Sequence, residues 1–162
     1  MCMITAKKLT VEAFAPYGEY CDLLAQGENG ESAFFPDRLV WQPMAEVGMS
    51  VGYACACEMR IPWYEYHAGT SETRLPLDAD MVIYVGRPCD VPDPEAFEAF
   101  IVPMGTMVKL HPGTVHGRQF PLKKEAVHVL ILCEASTWEN DAKTWRLSPG
   151  NGPLIVTDVN NQ

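Results

Sequence analysis

No stretch of this 162-residue chain approaches 18 consecutive apolar residues, the length a membrane-spanning helix needs. The opening residues, Met1 to Lys8, lack a charged segment followed by an apolar one, so no export signal is read and a cytoplasmic protein is expected. Basic residues are scarce. Lys and Arg number 12 against 21 Asp and Glu, for a formal net charge of −9, which repels phosphate and anionic lipid; neither nucleic acid nor membrane is an expected partner. The six cysteines, Cys2, Cys21, Cys55, Cys57, Cys89 and Cys133, contain no pair at the two-residue spacing of a structural zinc site. Cys55 and Cys57 share a strand face instead, and without an export signal all six are expected reduced and mostly buried rather than bridged.

What is present is ordinary globular composition, 48% apolar and 20% charged, and the length suits one domain spanning 1–162. Thirteen prolines and twelve glycines cut the chain into short segments, most of which favour strand over helix. Ser50–Cys57, Met81–Val85 and Val127–Cys133 read as strands, the last two as core strands apolar on both faces. Thr10 is placed to cap a short helix containing Glu12 and Ala13, which Pro16 and Gly18 stop. A second short helix is expected over Asp93–Phe100, with Asp93 as cap, Pro94 in the first turn, and Phe97 and Phe100 on one face. Ala25–Ser32 reads as a polar loop, and Leu154-Ile155-Val156 as an apolar patch in a polar tail that adds an edge strand or docks on a partner chain. The pattern predicts an all-β antiparallel sandwich or barrel with one or two short helices.

Three stretches hold the polar groups that carry chemistry. Residues 65 and 67 of a strand share a face, so the Glu65 carboxylate and the His67 imidazole converge, and Glu72, beyond the Ala68–Ser71 turn, returns to them on the next strand. In Gly105–His116 a Pro112-Gly113 turn separates Lys109 and His111 from His116. His128 stands alone in an apolar strand and reads as a satisfied core histidine. Carboxylates and imidazoles in one cavity suit proton transfer or a divalent ion. Glu65, His67 and His116 are therefore the catalytic candidates, and Glu65, His67, Glu72 and His116 the metal candidates. Arg74, Lys109 and Arg118 are cations placed to grip a substrate carboxylate, and Tyr66 and His111 complete the substrate-binding candidates.

Glu65-x-His67-x4-Glu72 stands where cupins place His-x-His-x3 or x4-Glu, and Gly105-x5-His111-Pro112-Gly113-x2-His116 resembles the second cupin motif. Within cupins the sequence resembles the ureidoglycolate lyase family of allantoin catabolism. That family opens with Leu-Thr-x-Glu-Ala-Phe-x-x-Tyr-Gly, like Leu9 to Gly18, and its Glu-Arg-His-Pro-x-x-x-Gln-x-x-x-Pro is matched at Glu65, His67 and Pro76. Its Ala-Phe segment resembles Ala99-Phe100-Ile101, and its His-x-x-x-Trp-His resembles His111 to His116. Tyr66, Glu72 and Val115 depart from its Arg, Gln and Trp, and His128 and Cys133-Glu134 from its Asp and Asp-Arg.

The resemblance implies a double-stranded β-helix and a carbon–nitrogen lyase cleaving ureidoglycolate, or a related small hydroxy acid, to glyoxylate and urea. In that reading His116 or Glu65 is base and His67 acid, or the reverse. Glu72 in place of Gln favours a metal-dependent cupin that uses Ni, Mn, Fe or Zn on a sugar or keto acid, and the departures keep a non-catalytic small-ligand sensor open. A homodimer is expected from the family habit and from the Leu154–Val156 patch.

Overall fold

Period-two alternation of apolar residues organises thirteen strands into three sheets in a computed structural model that describes residues 2–26 and 31–157. The strands are β1 (Met3–Lys8), β2 (Gly18–Asp22), β3 (Val47–Cys55), β4 (Trp63–His67), β5 (Glu72–Pro76), β6 (Met81–Val85), β7 (Glu98–Val102), β8 (Thr106–Leu110), β9 (His116–Gly117), β10 (Phe120–Pro121), β11 (Ala126–Glu134), β12 (Ala142–Arg146) and β13 (Leu154–Thr157). One five-stranded sheet runs β10-β6-β7-β1-β13, a second runs β2-β8-β5-β11-β3, and β12-β4-β9 form a third. This is the all-β cupin barrel that the motifs implied. The heart of the loop expected over 25–32, and the end of the polar tail, lie outside the described residues.

Within the first sheet β6 is buried on both faces, which is why Met81–Val85 is apolar throughout. Met81, Ile83 and Val85 point into a core shared with Phe14, with Phe100 of β7, and with Val108 and Val129 of the second sheet. Val82 and Tyr84 point the other way, into a core with Tyr64, Phe97, Phe120 and Ile155. Each fully buried side chain of this kind contributes roughly 1.5–3 kcal/mol, so the two cores hold the barrel around whatever polar groups its mouth carries. Among the described residues no helix is long and apolar enough to cross a membrane.

Among the described residues two α-helices form, one where expected. In α1 (Val11–Phe14) the Thr10 hydroxyl accepts from the Ala13 N–H at 3.2 Å. The expected helix over 93–100 is corrected. Asp93 does cap a turn, its carboxylate accepting from Glu95 N–H at 3.0 Å, but only Pro94–Ala96 winds, as a 3-10 turn, before β7 begins at Glu98. Phe97 and Phe100 enter opposite cores, a division that a strand permits and one helical face does not. The second helix, α2, lies instead at Thr137–Asn140.

Three further expectations change. The last apolar strand buries Val127, Val129 and Cys133, while Leu130–Leu132 are only half-buried and His128 is exposed, because the second sheet's outer face is open. His128 is thus no core histidine; its Nδ1 lies 2.6 Å from Asp78 Oδ2. The cysteines are free as expected, but only Cys21 and Cys133 are buried, with Cys55, Cys57 and Cys89 exposed. Leu154-Ile155-Val156 is the edge strand β13, parallel to β1, and Ile155 is buried within the chain's own core.

Candidate functional site

The third sheet builds the site by placing residues from distant motifs in register. Glu65 of β4 faces His116 of β9 directly across the antiparallel pair, and such pairs lie side by side on one face. His67, two residues on, shares that face. Its carbonyl accepts from the Gly113 N–H at 2.6 Å, which ties the Pro112-Gly113 turn to β4. Gly113 sits at φ +80°, a left-handed conformation that favours glycine. Glu72 begins β5 in the neighbouring sheet after a turn of four residues, and that turn is clamped. Asp141 accepts from the backbone N–H of Ala68 (3.1 Å) and Gly69 (2.9 Å) and from the Thr70 hydroxyl (3.1 Å). Burial pulls the Asp141 carboxyl up, but these bonds outweigh it and hold the group below its usual range.

The result is a closed cluster of four buried polar side chains, with His67 and Glu72 each 1% exposed. His116 Nε2 lies 3.6 Å from Glu72 Oε2 and 3.9 Å from Glu65 Oε1, and both His67 nitrogens lie 4.0 Å from carboxylate oxygens, Nε2 from Glu65 and Nδ1 from Glu72. These separations exceed hydrogen-bond length. Both His67 nitrogens, His116 Nε2 and Glu72 Oε2 are accordingly buried without a partner. Unpaired buried polar atoms cost about 1–3 kcal/mol each, and four in one place are the mark of a site kept for something else.

Neighbouring groups set the protonation of this cluster. His116 Nδ1 is 2.8 Å from the Thr114 carbonyl. A carbonyl only accepts, so Nδ1 carries a proton and Nε2 faces the cluster. Burial, then His116 and Arg74, push His67 down to about 4, so it is neutral at pH 7. Burial pulls the Glu72 carboxyl upward, but Arg74 and then His116 overcome it and hold the group well below the usual carboxylate range. Arg74, 4% exposed, donates from Nε to Glu72 Oε1 at 2.5 Å and from Nη1 to Gly117 O at 2.5 Å and Gln119 Oε1 at 3.3 Å. Two carboxyl groups, two imidazoles and buried polar atoms without partners suit a divalent ion: the four residues offer donor atoms all within 4.8 Å of one another.

Of the other sequence candidates, the structure brings Arg74 to the cluster as the partner of Glu72. Tyr66 alternates to the opposite face of β4 and stacks on Trp145, ring centroids 5.6 Å apart. Lys109 lies on the second sheet's outer face beside Glu19, at 3.4 Å. His111 lines a separate cleft with Tyr20 and Arg38. Arg118 donates to the Cys55 carbonyl at 3.3 Å. Sequence reasoning missed the supports: Thr144, whose hydroxyl donates to Glu65 Oε2 at 3.3 Å, the Thr114 carbonyl, the Asp141 clamp, and Trp138, whose ring stands 6.4 Å from that of His67. A Thr or Asp some 70 residues from the group it supports leaves no spacing signal.

Comparison with known proteins agrees with the fold and extends it. A "Putative ureidoglycolate lyase" of Agrobacterium fabrum is 31% identical over 134 residues, covering 75% of this chain and 77% of that one. A dTDP sugar isomerase from Desulfovibrio desulfuricans G20 shares the fold at a TM-score of 0.50 and 10% identity, over 83% of this chain and 84% of its own. An oxalate decarboxylase structure is matched at a TM-score of 0.44 and 12% identity over 64% of this chain, which spans only 24% of that one. The family described as ureidoglycolate lyase matches residues 1–150, and the chain belongs to that family.

Proposed function

We propose that the chain cleaves the carbon–nitrogen bond of ureidoglycolate, or a closely related small hydroxy acid, to glyoxylate and urea, with a divalent ion resident in the Glu65–His67–Glu72–His116 cluster. The observation that carries this reading is the set of four buried, unpartnered donor atoms converging from both motifs. When bound there, an ion supplies Lewis-acid polarisation of substrate oxygens. The charge count supports the substrate class. Two carboxylates against the Arg74 guanidinium leave one net negative charge, which a divalent ion turns into one net positive charge, matched to a monoanionic acid.

The reaction moves one proton. The substrate hydroxyl loses it as the carbon–oxygen double bond forms, the carbon–nitrogen bond breaks, and the departing ureido nitrogen receives a proton. Glu72 is tied to Arg74, and the His116 tautomer is fixed by Thr114. Glu65 is the less committed carboxylate, held among the described residues by the Thr144 hydroxyl, and is assigned as the proton carrier. His67, His116 and Glu72 remain to hold the ion.

The test is an assay of glyoxylate and urea from ureidoglycolate, with metal content measured in the same preparations. Glu65→Gln is expected to retain metal and lose about 10²- to 10⁴-fold in rate, whereas His67→Ala loses both. No glyoxylate above the spontaneous rate from metal-replete protein would overturn the assignment, as would ammonia in place of urea.

A further inference from the structure

The donor atoms without partners, both His67 nitrogens, His116 Nε2 and Glu72 Oε2, are closed off from solvent as well, so no reactant reaches them unless part of the chain moves. The strands that carry them are held in ladders: β5 between β8 and β11, and β4 between β9 and β12. Residues 135–141, which link β11 to β12, belong to no sheet and put no side chain into either hydrophobic core. They also stand against the cluster. The Trp138 ring meets the His67 imidazole edge-on, centroids 6.4 Å apart, while 46% of Trp138 faces solvent.

This stretch moves as a unit between two unlike ends. Within it the Glu139 and Asn140 N–H groups both donate to the Ser136 carbonyl, at 3.1 and 3.0 Å, and the Asp141 N–H donates to that of Thr137 at 2.9 Å. Its first end is Ser136, at φ +63° in the left-handed region, a conformation that costs any residue with a side chain and that no capping bond offsets here. Its other end is Asp141, whose three hydrogen bonds to Ala68, Gly69 and Thr70 fasten it to the turn between His67 and Glu72. Opening gives up those bonds, the 2.6 Å bond from the Thr137 hydroxyl to the Glu134 carbonyl, and little apolar burial, since Thr137 is the buried residue of α2. A cavity of about 340 Å³ beside Gly69-Thr70 and Met44-Ala45 leaves the stretch room to swing.

We infer that residues 136–141 form a hinged cover on the site, with Ser136 as hinge, Asp141 as latch and Trp138 as the face that closes over His67. Released from the turn, the cover admits a small acid to the cluster; latched again, it keeps bulk water from the reacting bonds. The motion is independent of what the cluster does, whereas its use as an entry gate rests on the reaction proposed above. Cys133 reports the motion. Its thiol lies beneath the cover, 1% exposed and in hydrogen-bond contact with Thr137, whereas Cys21, also buried, sits on β2, three strands away in the second sheet.

The test is labelling of the full chain, as purified, with iodoacetamide, after Cys2, Cys55, Cys57 and Cys89 are replaced by Ser, with each labelled site identified by peptide mass. Asp141→Ala and Trp138→Ala are each expected to raise the Cys133 rate at least about tenfold and to leave the Cys21 rate within about twofold, the pattern of local rather than global opening. Thr70→Val, which removes one latch bond at nearly constant shape, is expected to raise the Cys133 rate by a smaller factor, and it decides the matter with Trp138→Ala if Asp141→Ala does not fold. Cys133 labelling that is unchanged in every variant that folds, or that rises in step with Cys21, overturns the inference. The expected labelling in protein that forms no glyoxylate supports the cover and rejects only the reaction assignment.

Discussion

Replacing Arg74 with Met tests the electrostatics of the site. Arg74 and Glu72 form a buried ion pair at 2.5 Å, with side chains 5% and 1% exposed. Removing one partner of such a pair strands the other charge and typically costs 3–5 kcal/mol. For a chain of this size about 1 kcal/mol corresponds to 2–4 °C, so Arg74→Met should melt about 10–15 °C lower in protein dialysed against chelator. The pH dependence separates this cause from lost packing. In the native chain Glu72 is held below its ordinary value, so its stabilisation is present above the unfolded carboxylate pKa and is lost as pH falls. Without Arg74, burial raises the carboxyl above the unfolded value, and stability is then present below that value and lost as pH rises through the raised one. His67, pushed down to about 4 by burial, favours folding as pH climbs from about 4 toward its ordinary value of 6.5, so the two proteins are compared as a difference. That difference should grow steadily from about pH 5 to 8, and Glu72→Met added to Arg74→Met should recover most of it. A single variant melting within about 2 °C of wild type, with the same pH slope, would refute the reasoning.

His116→Ala should abolish turnover and metal binding, a loss of at least about 10²-fold, while His128→Ala, whose exposed ring contacts Asp78 and Tyr53 at the surface, should keep its rate and melt within about 2 °C of wild type. Assays and melting curves on both decide it, and the reverse pattern would move the site to β11. Gly117→Ala places a methyl group 2.0 Å from the Tyr84 hydroxyl and 2.8 Å from the Trp63 carbonyl. Tyr84 bonds both Trp63 O and Arg118 N–H, so this variant should unfold more easily by roughly 1–3 kcal/mol, read by urea denaturation; unchanged stability would mean that β9 shifts freely against β4.

The parts of the fold legible in the sequence were those in which local pattern and burial agree. Met81–Val85 is apolar throughout because cores lie on both sides of it, and Leu9–Gly18 carries its own cap and stop. Asp93-Pro94 is a true start signal, but long-range pairing with β6 and β1 overrides it from Glu98 onward. The apolar run around His128 looks identical whether its second face meets a core or solvent, and the deciding partner, Asp78, lies 50 residues away. Glu65, His67, Glu72 and His116 were legible as a group because strand alternation and a tight turn fix their directions. What holds them was not, since Thr144 and Asp141 owe their places to tertiary pairing.

The parallel pairing of β1 with β13 bears on how the barrel is made. β1 lies between β7 and β13, so this strand waits for one some 150 residues later in the chain before both its edges are paired. Ile155 cannot enter the core beside Ile4, Tyr84 and Phe120 until then. Closing so long a loop is slow, because its entropy is lost before any contact is gained. A nascent chain released before Leu154 emerges from the ribosome would present the unpaired side of β1, which makes loss of β13 a route to aggregation.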